Sequence, residues 1–347
     1  MKKPTFSTLS PNAIPSRSGR EFLKQSTKTA LIGSVVANLT VAIGLLLLLT
    51  ADISHGQNPT RPKPTHTNVA YGPHERNVVD FYKADSEDPT PVLVYFHGGG
   101  FRGGDKRGIN IGLHKMCMDN EISFAAVNYR LSHQSIYPAP MHDSARAIQF
   151  LRSRATEWNI DSKRIAAFGG SAGAGISLWL GFHDDMADLN STDLVVRQST
   201  RLCSAIGLQA QSTYDPREIK KIVPGDAYKH TALIQLYGLP SNWDWDSSEV
   251  SDKLSNQLRN ASPITHLTKD DPPVLVYHRK AQEKPGDIHH AAFGRHLKKK
   301  MDQLGIKCLH RMDTDFNKPN GLNRAILEFV KESFESSTSI NPPTSAP

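Results

Sequence analysis

The chain has 347 residues, 38% of them hydrophobic, which is enough for one large globular core. Its formal charge of +7 is uneven: Lys2, Lys3, Arg17, Arg20, Lys24 and Lys28 against Glu21 place +5 before residue 52, and the remaining +2 argues against a nucleic-acid partner. Three scattered cysteines, Cys117, Cys203 and Cys308, exclude a disulfide framework or a CxxC metal site and read as buried thiols.

The N-terminal segment concerns address. A basic, Ser-rich stretch leads into "ALIGSVVANLTVAIGLLLLLT", residues 30–50, long enough to cross a bilayer. Positive charge before this run and none just after it predict a cytoplasmic N-terminus and an exported body. The stretch "SGREFLKQSTKTALIGS" resembles a bacterial twin-arginine export signal, except that Gly19 stands beside Arg20 and breaks the pair. Ser54 and Gly56 before Gln57 offer a small-residue cleavage site. Residues 1–56 are therefore read as an export signal or membrane anchor, placing the body in the periplasm, outside the cell, or on the membrane through residues 30–50. Residues 57–68, Pro-rich and polar, read as a linker. Residues 336–347 read as a flexible tail.

Between linker and tail, residues 69–335 form the predicted domain. A hairpin is expected across "NVAYGPHERNVVDFY", turning at Gly72-Pro73. Continuous apolar runs at 91–96, 122–129, 164–169, 202–208 and 272–278 predict strands covered on both faces. A helix is expected over 142–158, where Ala145, Ile148, Leu151 and Ala155 recur at three and four. This alternation is that of a mostly parallel α/β sheet with helices on both faces.

Two motifs on that scaffold carry chemistry. Gly169-Gly170-Ser171-Ala172-Gly173 matches Gly-x-Ser-x-Gly between a strand and a helix, the sharp turn that exposes a serine Oγ. "HGGGF", residues 97–101, closes an earlier strand, and its glycine amides can point at an anionic oxygen. Both glycine-rich stretches follow strands, and the second, "GGSAGAG", could mimic a loose phosphate-binding loop but lacks the Gly-Lys-Ser/Thr ending and is not a GxGxxG, so no nucleotide is expected. No two histidines stand in HxxxH spacing, so no metal site and no dissociable cofactor are expected.

With "VYFHGGGFRGGDK", "NYRLS", "YPAPMHDSARAIQFLR", "DSKRIAAFGGSAGA" and "SPITHLTKDDPPVLVYH", the chain from about residue 69 to 334 resembles an α/β-hydrolase of the esterase and lipase kind, close to the hormone-sensitive-lipase-like group. The resemblance implies the α/β-hydrolase fold, Ser171 as nucleophile, and an oxyanion hole formed by the amides of Gly99, Gly100 and Ala172. It implies structural roles for Asp143 and Asp161, and a supporting role for His97 behind the oxyanion loop. Residues 209–271, with Tyr214, Tyr228, Tyr237, Trp243 and Trp245, fall where such enzymes carry a cap over the acyl pocket; an aromatic-rich surface loop is the plainer reading.

In such enzymes the acid follows the seventh strand and the histidine the eighth. Here the seventh is followed by "HRKAQEKPGD" instead of Gly-x-x-Asp, which leaves Glu283 and Asp287 as acid candidates, each also readable as a solvated loop residue. The loop after "IKCLHRM" has no histidine, and His310 lies inside the strand itself, too early to reach over the sheet edge. His289 and His290, at a predicted helix start after strand seven, are the base candidates, or else a partly exposed pair. His133 and His142 read as surface residues.

Loss of the base from a serine triad costs about 10⁶ in turnover, so two functions stand side by side. One is an exported serine carboxylesterase or lipase-like hydrolase that forms an acyl-enzyme on Ser171 and takes small-molecule esters, of lipids or sugars. The other is a catalytically impaired hydrolase-fold protein that binds a ligand or partner. In either, contact with a membrane is expected only through the N-terminal segment.

Overall fold

The structure is a computed structural model and describes residues 60–338. The export segment and most of the tail lie outside the described residues. Among the described residues no helix is long and apolar enough to cross a membrane.

Eight strands form one sheet: β1 (His66–Ala70), β2 (Val78–Tyr82), β3 (Thr90–Phe96), β4 (Ser123–Val127), β5 (Ile160–Gly170), β6 (Ser204–Leu208), β7 (Val274–His278) and β8 (Cys308–Met312), in the order β1-β2-β4-β3-β5-β6-β7-β8. The β1-β2 and β2-β4 pairings are antiparallel and all others are parallel. The apolar runs occupy the middle of the sheet because both faces are covered: every residue of β4 and β7 is buried.

Helices α1 (Ile111–Met118) and α9 (Gly321–Thr338) cover one face, where Leu113, Cys117, Ile326 and Val330 pack on Leu93, Phe124 and Phe168. The helix expected over 142–158 begins three residues earlier, as α2 (Ala139–Ser153), with Pro140 in its first turn, where a missing N–H costs nothing. It breaks at Arg154 before the single turn α3 (Ala155–Trp158), and Asn159 follows with φ 58°. On that second face lie α2, α4 (Ala172–Phe182) and α8 (Ala292–Gln303); Leu178 and Phe182 of α4 meet Leu297 and Met301 of α8 over Val274 and Val276. Between β6 and β7 the chain inserts α5 (Pro216–Ile222), a 3₁₀ turn (Asp226–Lys229), α6 (Thr231–Leu236) and α7 (Asp252–Ala261). The insertion is helical, and Tyr214, Tyr228 and Tyr237 are buried in it.

At both ends the folded chain extends into the segments read as linker (57–68) and tail (336–347). Strand β1 begins at His66, α9 continues to Thr338, and Arg61 is tied to Asp80 at 2.5 Å. The Asp80 side chain is fully buried; it also takes Lys106 Nζ at 2.8 Å and accepts the Asn68 N–H at 2.8 Å. Burial alone would raise its carboxyl pKa, but these donors outweigh burial and hold it below the ordinary value. A depressed carboxylate contributes stability that is present above its unfolded pKa and is lost as pH falls through its folded value. Asp80→Asn leaves two cations without their counter-charge and should destabilise the domain by about 3–5 kcal/mol. Urea denaturation at neutral pH checks this, and a midpoint equal to that of the wild type would contradict it.

Candidate active site

Strand β5 ends in Gly169-Gly170 and α4 begins at Ala172, so Ser171 stands alone at the turn, with φ 53° and ψ −117°. Such a backbone costs a non-glycine residue about 1–3 kcal/mol. The surroundings hold it there: Ser171 N–H donates to Leu208 O at 2.9 Å, and Gly175 N–H donates to Ser171 O at 3.0 Å. The turn can be this tight only because residue 173 is glycine, since a Cβ there would lie 2.0 Å from Phe96 O.

Phe96 ends β3, and the glycine loop follows it, with Gly99 at φ 107° and Gly100 at φ 61°. The N–H groups of Gly99, Gly100 and Ala172 make no hydrogen bond among the described residues, and the last of these is an orphan donor at the start of α4. His97 braces the loop. An arginine can only donate, so Arg76 Nη2 at 3.1 Å makes the His97 Nε2 an acceptor, and the Nδ1–H therefore donates to Gly98 O at 2.8 Å. Burial lowers the His97 pKa to about 4, which keeps the ring neutral as this pattern requires. Tyr129 stacks on the ring at 4.3 Å, and its hydroxyl donates to His97 O at 2.6 Å. Arg76 also donates to Tyr129 O and Gly104 O, clamping the loop from the β1-β2 connection. No local pattern marked Arg76, because its partners are distant in sequence.

Of the two histidines after β7, the structure brings only one to the serine. His289 Nε2 lies 2.8 Å from Ser171 Oγ. His290 is buried, and its Nδ1 accepts the Ala292 N–H at 3.1 Å. Both precede α8 in a turn and do not open the helix itself. Of the two carboxylates, Asp287 accepts the His289 N–H at 2.8 Å, and its Oδ1 is 3.9 Å from His289 Nδ1. Glu283 is bound instead to Lys280 and Arg295. Burial lowers the His289 pKa, and the Asp287 charge partly offsets this.

The turn that carries His289 is pinned to the insertion. Gln211 Nε2 donates to Ile288 O at 2.7 Å, and Gly286 N–H donates to Pro224 O at 2.7 Å. Gln211 is a second positioning residue that sequence patterns gave no reason to single out. After β8, where a histidine is usual, the chain makes a 3₁₀ turn (Asp313–Asp315) in which Asp315 accepts the Met312 N–H and Asp313 the Lys280 N–H. His310 stays within β8, its ring edge-on to that of His278 at 5.3 Å. Asp143 holds Arg130 through both oxygens, and Asp161 holds Arg164.

A cavity of about 40 Å³ opens beside Ser171. Gly100 and Phe101 line it on the sheet side, and Tyr214, Leu233 and Leu236 of the insertion close it. Among the described residues no group of three or more His, Cys, Asp or Glu side chains could hold a metal ion.

Residues 79–284 match the model of a protein family described as BD-FAE. A protein described as "Probable carboxylic ester hydrolase LipM", from Mycobacterium tuberculosis, is 26% identical over 61% of this chain. The alignment covers 46% of that protein, so the chain spans about half the length of this relative. Among solved structures, a truncated carbohydrate esterase from gut microbiota superposes with a TM-score of 0.62 at 19% identity, over 78% of this chain and 96% of that one. The esterase Est2 of Thermogutta terrifontis superposes with a TM-score of 0.58 at 17% identity, over 83% and 97%. The fold is that of the α/β-hydrolases.

Proposed function

The chain belongs to the BD-FAE family, and from that premise we propose that the protein hydrolyses small-molecule carboxylic esters through an acyl-enzyme on Ser171. One observation carries the reading: the 2.8 Å contact between Ser171 Oγ and His289 Nε2. A serine hydroxyl is a weak nucleophile without an adjacent base. In the proposed cycle His289 takes the Oγ proton as Oγ bonds to the ester carbonyl carbon. The carbonyl oxygen becomes an oxyanion facing the free amides of Gly99, Gly100 and Ala172. His289 then returns the proton to the departing alcohol, and water repeats the sequence on the acyl-enzyme, releasing the acid. Asp287 stabilises the imidazolium that forms in each half.

The relative described as a probable carboxylic ester hydrolase and the structural neighbour described as a carbohydrate esterase support an ester substrate and admit a sugar ester. Phe101, Leu233, Leu236 and Phe293 give the cavity an apolar lining, which suits the acyl half of an ester. Export through residues 1–56, with cleavage before Gln57 or retention by residues 30–50, belongs to the same proposal.

The test is hydrolysis of 4-nitrophenyl acetate by the full chain with Ser171→Ala beside it, together with fluorophosphonate labelling. Serine-dependent turnover and labelling at Ser171 are expected. Equal background rates and no labelling would favour the ligand-binding alternative.

A further inference from the structure

His230 is the residue before α6 and lines the same cavity as Ser171. Its Nδ1 accepts the Ala232 N–H at 3.2 Å, so in the neutral ring the hydrogen must sit on Nε2. That Nε2–H has no partner among the described residues. Burial lowers the ring's pKa, and the nearby Arg102 and His289 lower it further, so the neutral form prevails at neutral pH.

The other side-chain donors around the cavity are committed or walled in. Gln211 spends its amide on Ile288 O. The Tyr214 hydroxyl is buried and packed where a Cβ on Gly175 would be, 1.7 Å from it. Around His230 the wall is apolar, formed by Ala227, Ala232 and Leu233. At the edge of that wall the Nε2–H is within reach of solvent, so an oxygen of an arriving ligand can replace water as its acceptor.

Exposure indicates which half of the substrate arrives there. Ala232, Leu233 and Leu236 are buried, His230 is half-buried, and its neighbours Lys229 and Thr231 are exposed. His230 therefore marks the rim, where the alcohol half of an ester must lie in order to leave. Arg102 of the glycine loop holds that rim in place, donating to Thr231 Oγ1 at 3.1 Å.

We propose that His230 is a specificity-determining residue whose Nε2–H donates to an oxygen on the alcohol portion of the ester, so that hydroxylated alcohols are preferred over plain alkyl ones. This rests on the Ser171 reading above. The test compares glycerol monoacetate with n-propyl acetate, which share the acyl group and the carbon chain, in the full-length protein and its His230→Phe and His230→Gln variants.

Removing one hydrogen bond of about 1.4 kcal/mol should lower kcat/KM for glycerol monoacetate about tenfold. The value for n-propyl acetate should stay within about twofold, and His230→Gln, which keeps an N–H donor, should recover part of the loss. An unchanged rate of fluorophosphonate labelling at Ser171 would show that the variants keep the site intact. Equal loss for both esters, or loss for neither, would overturn the proposal. If the wild type is labelled but hydrolyses neither ester, weaker protection from labelling by glycerol monoacetate in His230→Phe supports the contact, and equal protection overturns it. A wild type that shows neither turnover nor labelling overturns the Ser171 reading, and the His230 assignment falls with it.

Discussion

His289→Ala is expected to lower kcat for 4-nitrophenyl acetate by about 10⁶, the cost of removing the base from a serine triad, while His290→Ala stays within about twofold of the wild type. The contrast follows from geometry alone: the two rings are adjacent in sequence, but only His289 reaches Ser171, and His290 turns back to the Ala292 N–H. Equal losses in the two variants would remove His289 from its role. The pH profile gives a separate check. A base must be neutral to accept a proton, so kcat/KM should fall as pH drops through the His289 pKa. Burial lowers that pKa, so the midpoint of the acid limb should lie below the ordinary histidine value of about 6.5. A midpoint above that value would contradict the assignment.

Asp287→Asn is expected to lower kcat by about 10², less than the roughly 10⁴ lost when an acid hydrogen-bonded to its histidine is converted to the amide. At 3.9 Å Asp287 Oδ1 is too far from His289 Nδ1 for a hydrogen bond, so its contribution is mainly the attraction of its charge for the forming imidazolium. At that separation the attraction is at most about 4 kcal/mol near a protein surface, and solvent reduces it because the side chain is partly exposed. Asparagine keeps an oxygen for the His289 N–H, so the turn should survive and the effect should be electrostatic. Steady-state kinetics with Glu283→Gln alongside separates the two carboxylates: Glu283 is paired with Lys280 and Arg295 and its variant should match the wild type. Unchanged kcat in Asp287→Asn would exclude Asp287 from the mechanism.

The sheet was legible in the sequence because its central strands are buried on both faces, and burial leaves an unbroken apolar run in the chain. The elbow was legible for a similar local reason: Gly173 must be glycine to pass Phe96 O, and that requirement is written beside the serine. Arg76 and Gln211 were not legible. Each acts on a backbone or ring that is near only after folding, and nothing in its own neighbourhood records that. Arg61 illustrates the same limit in a segment whose composition reads as spacer, because its counter-charge lies in the second strand.

The histidine question divides along the same line. Residue order alone determined that no histidine follows β8 in the usual loop, and that His289 and His290 with Glu283 and Asp287 were the candidates left after β7. Which pair faces the serine was decided by the tertiary structure. The β7-α8 turn is pinned to the insertion through Gln211 and Pro224, and that pinning aims His289 at Ser171 and turns His290 and Glu283 away. The physical reason is range: glycine turns and apolar periodicity are constraints between neighbours in the chain, whereas a side-chain hydrogen bond across 118 residues exists only once two separate sheet connections have been packed together.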